Sequence, residues 1–335
     1  MGFVNFQPFE YVTFPVATIS AVIYLMLLYV LIRKRRDNIL GSPFFYLSVA
    51  LGFFDLVVLL DLYIMVRFPG WGVLSDELYL RYPAFLGTLG LFGLGFGQTG
   101  QHLGVMAISI NRVMSISFPE AYKKIWTRRN TLWVVVGITT LTLWAVPCYT
   151  LYTLADYHET NTSTGERYVY ALYRSAQRAS HVFLFLTLAA MLSGVVSISC
   201  YVVACASLIK HRRSVWTDAS GDSASGISKG EIRLAMCGLS IAVAEAILTV
   251  IYGFFVLFPA HVFAISRIAN VFIDIFAYMN PYSILLMSKA ARDAFFDTYG
   301  CSALVGALGC NRESAGVMET TSTLRRVKPK TATAQ

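Results

Sequence analysis

The chain has 335 residues, 56% of them hydrophobic and 14% charged, with a mean hydropathy of +0.59; that is too apolar for a soluble domain of this length. Its net charge of +8 does not mark a nucleic-acid binder, because the cations lie between apolar runs and not on one soluble surface. The six cysteines are scattered and show no CxxC or His/Cys spacing, which excludes a disulfide scaffold and a zinc site.

In chain order, residues 1–11 form a tail free of Lys and Arg. Residues 12–32 are the first run long enough to cross about 30 Å of hydrocarbon. Arg33-Lys34-Arg35-Arg36 follows and is expected to hold that end in the cytosol. A second span, residues 44–66, carries Asp55 and Asp61, and the polar, aromatic stretch 68–82 reads as an outer loop. In the third span, residues 83–111, Gly93, Gly97, Gly100 and Gly104 share one helical face, where small residues let helices approach closely. Arg112 closes that span. An arginine at this depth either snorkels to water or takes a partner.

A fourth span covers residues 131–154, and the loop after it carries the sequon Asn161-Thr162-Ser163, usable only if that loop faces the secretory lumen. The fifth span is 181–209. A cytosolic loop of Lys, Arg, Ser and Gly follows to residue 233. The sixth and seventh spans, 234–258 and 262–287, are joined by a short outer turn at Pro259. Residues 288–301 set Phe295, Phe296 and Tyr299 beside Lys289 and Arg292, as in an amphipathic helix lying in the inner interface. Cys301 stands where a palmitoyl chain would anchor it, and Thr320 to Thr323 are candidate phosphorylation sites in the cytosolic tail 302–335.

Charge placement orients the bundle. Of the 27 Lys and Arg residues, six are assigned to the outer side (Arg67, Arg81, Arg167, Arg174, Arg178 and Arg267) and the other 21 to the inner side. The expected fold is an all-α membrane protein: a seven-transmembrane helix bundle over residues 12–287, N-terminus outside, with a short amphipathic helix after span seven.

Several fragments then narrow the class: Phe68-Pro69, Trp71-Gly72, Gln101-His102-Leu103-Gly104-Val105, Asn111-Arg112, Phe118-Pro119, Lys124-Ile125-Trp126 and Asn280-Pro281-Tyr282. Together they resemble the nematode serpentine chemoreceptors, class V, of the gamma superfamily, within the rhodopsin-like seven-transmembrane receptors. The resemblance covers about residues 12–294. It implies a sensory receptor at the plasma membrane or the sensory cilium that binds a small environmental or pheromone-like molecule and activates a heterotrimeric G protein. No cofactor, metal or nucleic acid enters, and no catalytic motif is legible, so an enzyme is not expected.

Where the chain departs from the rhodopsin-like pattern, mechanism is affected. Asn111 replaces the acid before Arg112, so Glu231 at the inner end of span six becomes the candidate partner of Arg112. Asn280-Pro281 matches the start of the span-seven motif, yet the tyrosine is Tyr282 and the motif position holds Ile284. No cysteine near Pro83 is placed to tie span three to the second outer loop. Asp55 resembles the superfamily's span-two aspartate, which implies a sodium or polar-core site.

Of the other intramembrane acids, Glu245 reads as a buried link between helices, while Asp274 lies at the depth of a ligand cavity that Gln98 and Tyr252 would also line. His102 reads as a packing residue with no acid, Cys or His at i+4. Lys123, Lys124 and the Lys210-His211-Arg212-Arg213 run form a basic inner rim for a G protein or for anionic membrane lipid. The rival reading is a seven-span ion-coupled transporter or channel that uses the four membrane acids, although inverted repeats are not legible.

Overall fold

Helix α1 (Glu10–Arg33) opens the described part of a computed structural model that covers residues 10–37, 39–150, 154–161, 167–174, 176–217, 229–258 and 262–300. Pro43, directly after Ser42, starts α2 (Pro43–Asp61), a position where its missing N–H costs nothing. The helix continues through a π-helical turn (Leu62–Arg67) into the short α3 (Phe68–Gly70). The chain then reverses at Gly72, whose φ of +78° suits glycine, and a second π-helical turn (Ser75–Tyr79) leads to α4 (Pro83–Ser117). Phe118 leaves the helical region, and Pro119 begins α5 (Pro119–Ile125), so the sequence Phe-Pro both stops one helix and starts the next.

Helix α6 (Arg128–Thr150) leads to an antiparallel hairpin of β1 (Ala155–Asn161) and β2 (Arg167–Tyr173), in register from Ala155 opposite Tyr173 to Asn161 opposite Arg167. Helices α7 (Ala176–Thr217), α8 (Lys229–Leu257), α9 (Val262–Met287) and α10 (Lys289–Thr298) follow. The chain falls into two compact units, Met1–Phe295 and Phe296–Gln335. The first holds α1 to α9 and most of α10; of the second, residues 296–300 are described.

Among the described residues, four helical stretches are long and apolar enough to cross a membrane: Glu10–Arg33, Pro43–Gly70, Leu184–Lys210 and Ile268–Met287; Gly238–Phe254 is a shorter apolar helix. The protein is a mostly helical membrane protein. Helix α4 lowers its own hydropathy with glycines and with Gln98, Gln101, His102, Asn111 and Arg112. It nevertheless packs against α2, α6, α7, α8 and β1, which makes it the central element of its unit.

The glycine face explains that position. A Cβ placed on Gly93, Gly97 or Gly100 would come under 3.0 Å from Asp61, Val58 or Phe54, and one on Gly104 would meet Leu51 at 3.2 Å. Leu51, Phe54, Val58 and Asp61 recur at helical spacing, so one face of α2 fits into the glycine groove of α4. The main apolar cluster joins α1, α2 and α4 to α7, α8 and α9 through Leu27, Leu51, Val105, Ala190, Leu248 and Ile273.

Two features correct the sequence reading. The second span does not end before Arg67; the helix runs on, and Arg67 is a buried side chain, not an outer-loop cation. The loop after the fourth span is a β-hairpin, so the fold is not wholly α. Its outward signal is the aromatic alternation in Arg167–Tyr173. Tyr157 is buried with Tyr79, Leu86 and Val169, and a Cβ on Gly87 would strike the backbone of Ala155. Backbone contact and aromatic packing thus fasten the hairpin to α4. Arg174 grips Asp156 with two bonds, 2.5 and 2.9 Å, and this holds the Asp156 carboxyl below the usual carboxylate range.

Candidate functional site

Among the described residues, four polar constellations stand out in the bundle. Nearest the hairpin, the wide π-helical turn places Arg67 toward α9, where Nη2 donates to Asp274 Oδ2 at 2.6 Å. Both residues are buried, and Nη2 also reaches the Asn270 carbonyl at 3.4 Å. The guanidinium lies 4.3 Å from the centroid of Tyr63, whose hydroxyl donates to Asp274 Oδ2 at 3.5 Å. Tyr79 of the second π-helical turn and Tyr157 of β1 support the first turn: Tyr79 donates to the Ile64 carbonyl and Tyr157 to that of Met65. Pro69, five residues after Ile64 and four after Met65, has no N–H to donate to either carbonyl. Above the pair, Trp71 is buried and donates through Nε1 to Glu10 Oε2 at 2.8 Å.

Deeper in the bundle, His102 Nδ1 of α4 lies 2.9 Å from Glu245 Oε1 of α8, with both side chains buried. Ser193 of α7 donates to the His102 carbonyl at 2.7 Å, and Tyr252 stands edge-on to the His102 ring at 6.4 Å. Gln98, one turn along α4, is buried with Oε1 lacking a hydrogen-bond partner among the described residues. The acid that sequence spacing missed thus comes from another helix, 143 positions away, beyond the reach of any i+4 test.

Asp55 forms the third constellation. Its Oδ2 accepts from Tyr24 of α1 and, at 3.2 Å, from Asn280 of α9; its Oδ1 accepts from Gln101 of α4 at 2.7 Å. Asn280 Nδ2 also donates to the Tyr24 hydroxyl. One carboxylate therefore ties together four helices. Asp55 Oδ1 takes a single donor, and Asn280 Oδ1 is buried without a hydrogen-bond partner among the described residues. Tyr282, the off-register tyrosine, lies 2.9 Å from Ser20 of α1, while Ile284 is buried.

At the far end of α4, Asn111 and Arg112 are buried. The Arg112 guanidinium lies over Phe44 of α2, 3.7 Å from the ring centroid. Both amide atoms of Asn111 lack hydrogen-bond partners among the described residues. Glu231 falls within α8, but its side chain lies outside the described residues, as do the whole of Cys301 and the side chain of Asn161. Lys123 and Lys124 are exposed on α5, with Lys123 3.4 Å from Glu120. Pro281 sits inside α9 next to Asn280.

The structure gives Asp274 to Arg67 and sets Tyr252 against His102, so the three residues expected to share a cavity belong to two constellations. Asp61 packs against Gly93, with Oδ2 buried and unpaired among the described residues.

Comparison with known proteins gives a consistent match. The family of serpentine type 7TM GPCR chemoreceptors Srv matches residues 13–301. Serpentine receptor class V-1 of Caenorhabditis elegans is 25% identical over 135 residues, 39% of this chain, and the match spans 43% of that receptor's length.

Proposed function

The chain belongs to the Srv family of serpentine chemoreceptors, and on that premise we propose that it binds a small environmental or pheromone-like molecule and activates a heterotrimeric G protein. The seven spans of this reading are α1, α2 with its π-helical extension, α4, α6, α7, α8 and α9, with the hairpin outside and α5 and α10 inside. Plasma-membrane placement belongs to the same proposal.

The observation that carries it is Arg112, a cation buried at the inner end of the central helix and held over an aromatic ring. That contact is reversible. A cation–π pair of this kind contributes roughly 1–2 kcal/mol. Opening of the inner ends of α4, α7 and α8 would release Arg112 toward the G protein, with Lys123 and Lys124 forming part of the docking rim; Asn111, Glu231, Asn280 and Pro281 belong to the moving parts. The ligand's leverage is limited to its differential affinity for the closed and open bundles. Gln98, Tyr252 and Asp274 remain the proposed ligand-facing residues.

Nucleotide exchange by a panel of Gα subunits tests the proposal, with the purified protein in lipid, wild type against Arg112→Ala, and pooled small-molecule extracts added. Exchange that rises with an extract and disappears in the variant is the expected result. Well-folded protein that catalyses no exchange would contradict it, and ion flux abolished by Asp274→Asn would favour the rival transport reading.

A further inference from the structure

Arg67 and Asp274 meet through one arm each. Nη2 reaches Oδ2, while Arg67 Nη1 and Asp274 Oδ1 are both buried without a hydrogen-bond partner among the described residues. A guanidinium and a carboxylate facing each other squarely would close both arms of the fork. Here the guanidinium is held off that register, because it lies over the Tyr63 ring and Nη2 also reaches the Asn270 carbonyl. The two idle atoms belong to groups already joined through Nη2 and Oδ2. One is a donor and the other an acceptor.

We infer that Arg67 Nη1 and Asp274 Oδ1 form a two-point subsite for a neutral head group carrying one acceptor and one donor side by side, a primary carboxamide in its simplest form, on an apolar body. The inference rests on the reading of the chain as a small-molecule receptor and names the chemistry of its ligand. The ligand's carbonyl oxygen accepts from Nη1, and its N–H donates to Oδ1. A neutral head is favoured because the pair already balances its own charges; a carboxylate or an ammonium would bury a third charge without a counter-ion. The apolar body is favoured because Tyr63, Trp71 and Tyr278 pack in one cluster there.

The test is thermal unfolding of the full chain in lipid nanodiscs with hexanamide, hexanoate, hexylamine or 2-heptanone, the last offering an acceptor but no donor. Hexanamide is expected to raise the midpoint with concentration, and more than the other three. The double variant Arg67→Met/Asp274→Leu removes both points together, an exchange that buried ion pairs often tolerate. Its apparent affinity for hexanamide should fall at least about tenfold. Arg67→Lys keeps the charge but lacks the second fork arm, and should weaken the response. No midpoint shift in wild type, an equal shift in the double variant, or a larger shift with hexanoate, hexylamine or 2-heptanone would overturn the assignment. Binding is read without a G protein. An amide shift without nucleotide exchange would therefore sink the receptor reading alone, and exchange without an amide shift would sink this subsite alone.

Discussion

Asp55 and Glu245 are both carboxylates buried in an apolar bundle, and their surroundings differ in kind. Asp55 collects donors from three other helices, whereas Glu245 meets His102 through Oε1 and leaves Oε2 without a hydrogen-bond partner among the described residues. Removing the Asp55 carboxyl takes an acceptor from Tyr24, Gln101 and Asn280, so Asp55→Ala should cost roughly 3 kcal/mol or more. Glu245→Gln keeps an acceptor for His102 and should stay within about 1 kcal/mol. Unfolding midpoints of the two variants in the same lipid check this, and equal losses would contradict it. Residues of this kind could be recognised in the sequence as expensive, but their partners could not be named. The reason is physical: each partner lies on another helix, as Asn280 does at 225 positions from Asp55, and only tertiary packing brings the two together.

At the scale of elements, the close fit of α2 and α4 rests on glycines whose absent Cβ atoms leave room for Asp61, Val58 and Phe54. Gly97→Ala or Gly100→Ala should therefore destabilise the bundle by about 1–3 kcal/mol through overpacking. Gly137 in α6 is the internal control, because nothing lies within 4 Å of its would-be Cβ. There the same substitution should be neutral or stabilise by up to about 1 kcal/mol. Thermal midpoints decide, and a penalty as large at Gly137 as at Gly100 would show that the groove is not the cause. This groove was legible in the sequence because its period is local. The hairpin was not, since seven-residue strands in an outer loop carry little signal beside spans of 20 residues or more.

The hairpin also makes a pH prediction. Arg174 lowers the Asp156 pKa, so the contribution of the pair is fully present above the ordinary carboxylate value of about 3.9 and is lost as pH falls through the lowered native value. Amide exchange protection of β1 and β2 should hold from neutral pH down to about 4 and decline below that. In Asp156→Asn the decline should vanish. A loss of protection centred near neutrality would contradict the assignment.

Over the whole molecule, polar links run from the hairpin end to the far end of the bundle: Arg67 to Asp274, His102 to Glu245, Asp55 to Tyr24 and Asn280, and Arg112 over Phe44. Most of them join α2, with its π-helical extension, or α4 to α8 or α9. The helical membrane class was readable from composition, and the family from a string of short fragments. Arg67 was misread as a loop cation because a π-helical continuation has no periodic signature that distinguishes it from a helix end.

The distance between spin labels at Phe118, which follows α4, and Met236 on α8 follows the proposed opening in one observable; both positions are exposed. In lipid nanodiscs the distance should lengthen when a nucleotide-free heterotrimer from the Gα panel is added, and Arg112→Ala should abolish the change. A distribution that stays the same with every heterotrimer, in folded wild-type protein, would contradict coupling through the inner ends of α4 and α8.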